Sequence, residues 1–257
     1  MKKIKLNSEL TDLKSPLFVT GTDTGVGKSI ITAFLALSFL EQGKKVAISK
    51  PLQTGHPRDT NFLSTLIENK IPIFNTYALE LPAAPSVASE HENKKIDVSK
   101  IVFDIKKLEK EYDIVIVEGI GGIAVPITFH NRAELLGVRN EWNRFNSQSS
   151  MLNPQSYLVA DLIKDLGYPT IIVARPSLGT INHTVLTIDF AKHRGIDLLG
   201  FVTSGYDEKI DDPVVETAPD VISKITQINC LFKFPMLSEV NSKAIYKIIG
   251  DCVIPIC

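Results

Sequence analysis

The residues best suited to chemistry open a glycine-rich run, Gly21-Thr22-Asp23-Thr24-Gly25-Val26-Gly27-Lys28-Ser29, that follows the apolar Phe18-Val19. Gly25 and Gly27 can take backbone angles closed to other residues, so successive amide N–H groups can point inward at phosphate oxygens. Lys28 adds a mobile positive charge. The Ser29 hydroxyl stands where a magnesium ion can be held, at a helix start whose positive end also favours anions. Gly21 and Gly27 are separated by five residues, one more than the common Walker A spacing. The context supports a phosphate cradle, because an apolar strand-like run precedes the loop and Ile30, Ile31, Phe34, Leu35, Leu37 and Leu40 follow at helical spacing.

A second chemical group ends the β-branched run Ile114-Val115-Ile116-Val117-Glu118-Gly119. Such a run reads as a central parallel strand covered on both faces. A carboxylate at its end needs a cation or donors, and the glycines at 119, 121 and 122 leave room for a ligand. This matches the Walker B arrangement, with Glu118 facing magnesium and phosphates. Lys50 closes the strand Val46-Ala47-Ile48-Ser49 and precedes Pro51. It lies beside the phosphate loop if those two strands are neighbours in a parallel sheet, where open α/β sheets bind ligands. Asp59 precedes the helical run Phe62, Leu63, Leu66 and Ile67, and on local evidence reads as a helix cap.

The elements that must position these groups alternate along the chain. Leu17 to Thr20 is the first strand and Ile30 to Gln42 its helix; Ala78 to Ser89 is a proline-bearing loop entering a short helix, and Val98 to Lys110 an amphipathic helix. Helix Tyr157 to Leu166, strand Thr170 to Ala174, helix Thr184 to His193, strand Leu198 to Thr203, helix Val214 to Gln227, a turn at Phe234-Pro235 and a helix from Glu239 to Ile249 follow. This alternation predicts one α/β domain over residues 1–257, a mostly parallel sheet with helices on both faces. Residues up to Ser15 read as a leading arm. Residues 129–154, rich in Asn, Arg, Gln and Ser and holding the single tryptophan, Trp142, read as an insertion.

The bulk properties exclude several classes. At 257 residues the chain can bury a full core, and its formal net charge of -1, with both signs interspersed, advertises neither nucleic acid nor an anionic membrane. Cys230, Cys252 and Cys257 fall in no metal-binding spacing and suggest reduced thiols in a cytoplasmic compartment. The N-terminal stretch lacks the apolar region of a signal peptide, and the most apolar window, Ile30 to Leu40, is too short to cross a bilayer.

Taken together, these stretches resemble the dethiobiotin synthetase family, whose fold is that of the P-loop nucleoside triphosphatases. The resemblance is carried by Gly21 to Ser29, Lys50-Pro51 with Thr54-Gly55, Asp59, Leu81-Pro82-Ala83-Ala84-Pro85, Val117-Glu118-Gly119 with Gly121-Gly122, and Leu178-Gly179-Thr180-Ile181-Asn182-His183. It implies ATP- and magnesium-dependent closure of a ureido ring from 7,8-diaminononanoate and carbon dioxide. One amine becomes a carbamate, the carbamate takes the γ-phosphate, and the second amine attacks. Two anions must meet, a repulsion of about 4 kcal/mol per charge pair in a partly screened site, so cations must cancel it.

The resemblance assigns catalytic roles to Lys28, Lys50 and Thr24, and the nucleotide to Thr24, Gly25, Val26, Gly27, Lys28 and Ser29 together with Glu118, Ser204 and Pro235. It assigns magnesium to Ser29, Asp59 and Glu118, which replaces the capping role for Asp59. Substrate falls to Thr22, Lys50 and Thr54, with Gly179, Thr180, Ile181 and Asn182 donated at a helix N-terminus by the second subunit of a homodimer. The chain departs from the family at Ser204, where an asparagine is usual. A hydroxyl cannot offer an amide's paired donor and acceptor, so looser nucleotide choice is expected. Ser86 likewise stands where the family often has histidine. Partition-type nucleotide switches, which share the sheet, carry a signature lysine where this chain has Asp23.

Overall fold

The computed structural model describes residues 16–129, 156–207 and 212–251. The expected leading arm, all of the expected insertion except Phe129, and Cys252 and Cys257 lie outside the described residues. The elements are β1 (Leu17–Gly21), α1 (Lys28–Glu41), β2 (Val46–Ser49), β3 (Leu52–Thr54), α2 (Asp59–Leu66), β4 (Ile73–Phe74), β5 (Tyr77–Leu79), α3 (Pro85–His91), α4 (Val98–Leu108) and β6 (Ile114–Glu118). They continue with β7 (Pro126–Thr128), β8 (Tyr157–Leu158), α5 (Val159–Leu166), β9 (Thr170–Ala174), α6 (Thr180–His193), β10 (Leu198–Tyr206), α7 (Pro213–Thr226), β11 (Cys230–Pro235) and α8 (Ser242–Asp251).

A seven-stranded sheet in the order β11-β10-β9-β1-β6-β2-β4 organises the fold, and each of its pairings is parallel. The alternation of side chains along a strand explains why both faces are covered. In β6, Ile114 and Ile116 enter one apolar cluster with α1 and α8, while Val115 and Val117 enter the opposite cluster with α4 and α5. In β1, Leu17 and Val19 go one way and Phe18 the other. Two short sheets, β3 with β5 and β7 with β8, lie outside this frame.

The sheet order also shows where a ligand must go. From β1 the chain moves to β2 on one side, and from β6 it returns across β1 to β9 on the other. The connections therefore diverge at β1 and β6, and the crevice beyond their C-terminal ends is the usual ligand position of open α/β sheets. The phosphate loop and Glu118 both emerge there.

Several expected boundaries are corrected. β2 is not the neighbour of β1, because β6 lies between them. The stretch around Phe234-Pro235 is the edge strand β11 rather than a turn, and its proline is tolerated because an edge position leaves one side unpaired. α6 begins at Thr180, four residues before the expected Thr184, since Gly179 at φ 90 lets the chain enter a first turn whose polar side chains carry no apolar signal. β3 and β5 arise within stretches read as loop. Cys230 is a free thiol that burial pushes up to about 11.

Phe34 on α1 is fully buried and meets the rings of Phe232 and Phe234 at 5.5 and 5.2 Å, tying the phosphate-loop helix to the edge strand. Phe34→Ala is expected to cost about 3–5 kcal/mol of unfolding free energy in urea denaturation. A loss below about 1 kcal/mol would show that the ring does not hold these two elements together.

Candidate active site

The phosphate loop is shaped by local backbone demands. Gly25 and Gly27 lie at φ 71 and 98, the left-handed region that favours glycine. Space adds a second demand at position 27, where a Cβ would lie 2.3 Å from the Ser204 hydroxyl. The loop is held from outside by Thr22 N–H donating to the Val173 carbonyl at 3.0 Å, and by Arg175 donating to the Thr24 carbonyl at 3.2 Å. Asp23 caps the adjacent Thr24 N–H at 2.7 Å. Gly122, after β6, approaches so closely that a Cβ there would sit 3.3 Å from the Thr22 carbonyl oxygen.

Beneath the loop, charged groups from three separated segments converge. The Lys50 ammonium, fully buried, donates to Glu118 Oε1 at 2.8 Å and to the Gly119 carbonyl at 2.9 Å, and lies 2.7 Å from Asp59 Oδ2. Ser29 Oγ donates to the same Glu118 oxygen at 2.8 Å. Lys50 reaches this position although β1 and β2 are not adjacent, because Glu118 ends the intervening strand. Asp59 does not cap its helix. It is the first helical residue after Arg58, and the next N–H, that of Thr60, donates instead to Gln53 Oε1 at 3.3 Å.

The electrostatics of the two lysines differ. Burial pushes the Lys50 pKa down, but the charges and hydrogen bonds of Glu118 and Asp59 outweigh it, so it ends above the ordinary lysine value. Burial, followed by the nearby Lys50 charge, pushes Lys28 down to about 8. Lys28 folds back to donate to the Asp23 carbonyl at 2.8 Å. Lys50 is thus neutralised by the two carboxylates it touches, while Lys28, desolvated and bonded only to a carbonyl, is the cation left to meet an anion in the cleft.

A magnesium ion fits these residues. Glu118 Oε2 is buried with no hydrogen-bond partner, beside the Ser29 hydroxyl and the Asp59 carboxylate. Among the described residues no group of three or more His, Cys, Asp or Glu could hold a metal. A hard cation here would draw on two carboxylates, one hydroxyl and waters, a donor set magnesium accepts.

A cleft of about 540 Å³ opens above these groups and brings together Thr24, Gly25, Gly27, Lys28, Ser29, Thr54, Asp59 and Glu118. Its far wall is apolar, formed by Phe62, Pro82, Ala83, Ala84 and Pro85. The wall is braced by Glu92, which accepts from the Glu80 and Leu81 N–H groups at 2.6 and 3.0 Å. Val26 turns its side chain into the core at 2% exposure, so only its backbone can face a ligand. Thr22 does not line the cleft, and Lys50 lies under it rather than on its surface. Ser204 and Pro235 stand at the ends of adjacent strands, on the Gly27 side of the loop. Gly179, Thr180, Ile181 and Asn182 are elsewhere, lining a separate, mainly apolar surface hollow of about 470 Å³.

Sequence reasoning missed Phe62 and Gln53. Phe62 had a usable signal, since three residues after Asp59 on a helix shares its face. Gln53 had none, because its contact with Thr60 depends on where β3 and α2 meet.

Comparison with known proteins agrees with this geometry. A family model described as an AAA domain matches residues 15–134 and 148–244. The ATP-dependent dethiobiotin synthetase BioD of Thermodesulfovibrio yellowstonii is 35% identical over 243 residues, covering 91% of this chain and 93% of that protein. The enzyme of the same name from Methanococcus vannielii is 38% identical over 188 residues, covering 72% of this chain and 77% of its own. Among solved structures, the cell division ATPase MinD of Pyrococcus furiosus aligns with a TM-score of 0.53 at 16% identity, over 93% of this chain and 98% of its own, which shows a shared fold. The parallel sheet, the glycine loop with its buried lysine pair, and these extended sequence matches place the chain in the ATP-dependent dethiobiotin synthetase family.

Proposed function

We propose that the protein forms dethiobiotin, a step of biotin synthesis, from 7,8-diaminononanoate, carbon dioxide and ATP, with magnesium. The observation that carries this reading is the convergence of Lys50, Asp59, Glu118 and Ser29 beneath a cleft floored by the phosphate loop and Lys28. The reaction needs no protein nucleophile. One substrate amine adds to carbon dioxide and loses a proton, giving a carbamate. A carbamate oxygen then attacks the γ-phosphorus and ADP departs. The second amine attacks the carbonyl carbon, phosphate leaves, and the ring closes.

Each of these groups has a task in that sequence. The loop amides of Thr24 to Ser29 and the Lys28 ammonium hold the phosphates, Thr24 faces the carbamate as it approaches, and Lys50 acts from beneath the cleft by its charge and by fixing Asp59 and Glu118. Thr54 orients the diamine by its hydroxyl, while the Phe62 and Pro82–Pro85 wall takes its methylene chain. Ser29, Asp59 and Glu118 would hold a magnesium ion, which would supply charge neutralisation to the transferring phosphoryl group. Holding the reacting atoms in line can supply up to about 7–11 kcal/mol of barrier reduction.

The nucleotide base lies beside Ser204 and Pro235. Ser204 is 8% exposed and packs its hydroxyl side against Gly27, which leaves no amide to read a base edge and supports looser nucleotide choice. The hollow at Gly179 to Asn182 supports the shared active site of a homodimer. Leu178, Leu186 and Ile225 around it are 88, 60 and 57% exposed, an apolar area that a second copy would cover while presenting the α6 N-terminus to a substrate carboxylate. Among the described residues no helix is long and apolar enough to cross a membrane, and the ATP dependence agrees with the expected cytoplasmic location.

Incubation with diaminononanoate, bicarbonate, magnesium and ATP should yield dethiobiotin by mass spectrometry, with GTP and CTP supporting rates within about tenfold of ATP. Lys28→Ala and Glu118→Ala should each reduce turnover by about a hundredfold or more while circular dichroism stays unchanged. Phosphate release independent of the diamine would instead identify a nucleotide switch. Leu186→Glu should shift the sedimenting species from dimer to monomer and remove turnover while nucleotide still binds; a wild-type monomer with full activity would refute the shared site.

Lys28 gives a pH signature. With its pKa near 8 in the free protein against 10.5 unperturbed, Lys28 is largely neutral by about pH 9, and bound phosphates must recharge it. Calorimetry of ATP binding in buffers of different ionisation enthalpy should show net proton uptake at about pH 9, absent in Lys28→Gln. The same shift means that the unfolded chain binds more protons between about 8 and 10.5, so the Lys28 contribution to stability rises with pH across that window.

A further inference from the structure

We propose that Asn75 is a positioning residue for the Lys50 ammonium, an assignment that rests on the reading of Lys50 as a catalytic cation. Lys50 stands one residue beyond β2, where the chain leaves the main sheet for the small β3–β5 sheet. Ser49 is in register with Phe74, and Leu52 with Tyr77, so Lys50-Pro51 spans the same gap as Asn75-Thr76. Across this gap the Lys50 N–H donates to the Phe74 carbonyl at 2.8 Å, and the Tyr77 N–H donates to the Pro51 carbonyl at 2.9 Å.

A regular parallel ladder would bring the Thr76 N–H to the Lys50 carbonyl. Here the Asn75 carboxamide does so instead, Nδ2 donating to the Lys50 carbonyl at 2.6 Å and to the Tyr77 carbonyl at 3.1 Å. One side chain thereby ties the residue that ends one sheet to the strand that begins the next. Only a group with two N–H donors can do this. The isosteric aspartate would turn carboxylate oxygens toward two carbonyl oxygens.

The consequence reaches the ammonium because Lys50 has no slack. Its side chain is fully buried, and its ammonium is shared among Asp59, Glu118 and Gly119. A small rotation of the Lys50 main chain therefore shifts the ammonium against Asp59 and Glu118, the two carboxylates that line the cleft above it. A hollow of about 200 Å³ lies outside Asn75, bordered by Ser49 and Asp104. Water entering there can satisfy the Lys50 carbonyl once the amide is removed, but it cannot fix its direction. Loss of Asn75 thus falls on geometry more than on stability.

The test compares Asn75→Ala, Asn75→Ser and Lys50→Ala in the full chain. Asn75→Ala should lower kcat by about tenfold to a hundredfold while KM for ATP stays within about twofold. Its melting temperature should fall by no more than a few degrees. The Lys50 ammonium nitrogen signal, sharp in the parent because buried protons exchange slowly, should broaden or vanish. Asn75→Ser, which keeps one donor, should recover part of the rate. The proposal is overturned by an Asn75→Ala kcat within about twofold of the parent, by a rate loss matched by equal loss of nucleotide affinity, or by failure of both Asn75 variants to fold. Lys50→Ala separates the two levels of argument. Full activity in that variant defeats the functional reading and the proposal with it, whereas an inactive Lys50→Ala beside a fully active Asn75→Ala defeats the proposal alone.

Discussion

A fully buried ammonium can persist only if every one of its protons finds an acceptor, and Lys50 meets that condition by drawing on three parts of the chain at once. Asp59 comes from the start of α2, Glu118 from the end of β6, and the Gly119 carbonyl from the loop beyond. Neither charge is stable in that position without the other, so the contact locks the relative placement of the segments that carry it. Much of the site geometry follows. Ser29 is oriented by the same Glu118 oxygen, and the second oxygen of that carboxylate is buried with no hydrogen-bond partner.

Sheet order makes this contact possible. Placing β6 between β1 and β2 sets a carboxylate between the two lysine-bearing segments rather than at their flank. Lys28 and Lys50 are thus close enough to feel one another's charge, yet each has Glu118 as a common neighbour. Lys50, saturated with acceptors, keeps its proton firmly, whereas burial and then the Lys50 charge weaken the hold of Lys28 on its own. That asymmetry leaves one cation committed to the protein and the other available to a ligand in the cleft.

The glycine loop supplies the complementary, uncharged half of the arrangement. Its positive φ values direct backbone dipoles, and the missing Cβ atoms of Gly27 and of Gly122 let β10 and the loop after β6 approach it closely. The Ser204 contact with Gly27 packs the end of β10 directly against the phosphate loop, with no room for a side chain between them.

The chain itself declared those parts whose physics is local. A glycine run must bend, and a lysine and serine beside it must stand at a helix start. A β-branched strand ending in Glu118 must be buried on both faces and must seek a cation. The central strands β1, β2, β6 and β9 and most helices were legible for that reason. Tertiary structure alone decided the rest. The edge strand β11 and the short β3 and β5 depend on partners far away in sequence, and proline, glycine and histidine locally resemble turn chemistry. Asp59 reads as a helix cap until Lys50 is brought within 2.7 Å of it. Asn75 gains its role only where its carboxamide meets the Lys50 carbonyl. In both cases the deciding acceptor or donor comes from another strand or loop, and sequence periodicity carries no information about pairings between segments that meet only when the sheet closes.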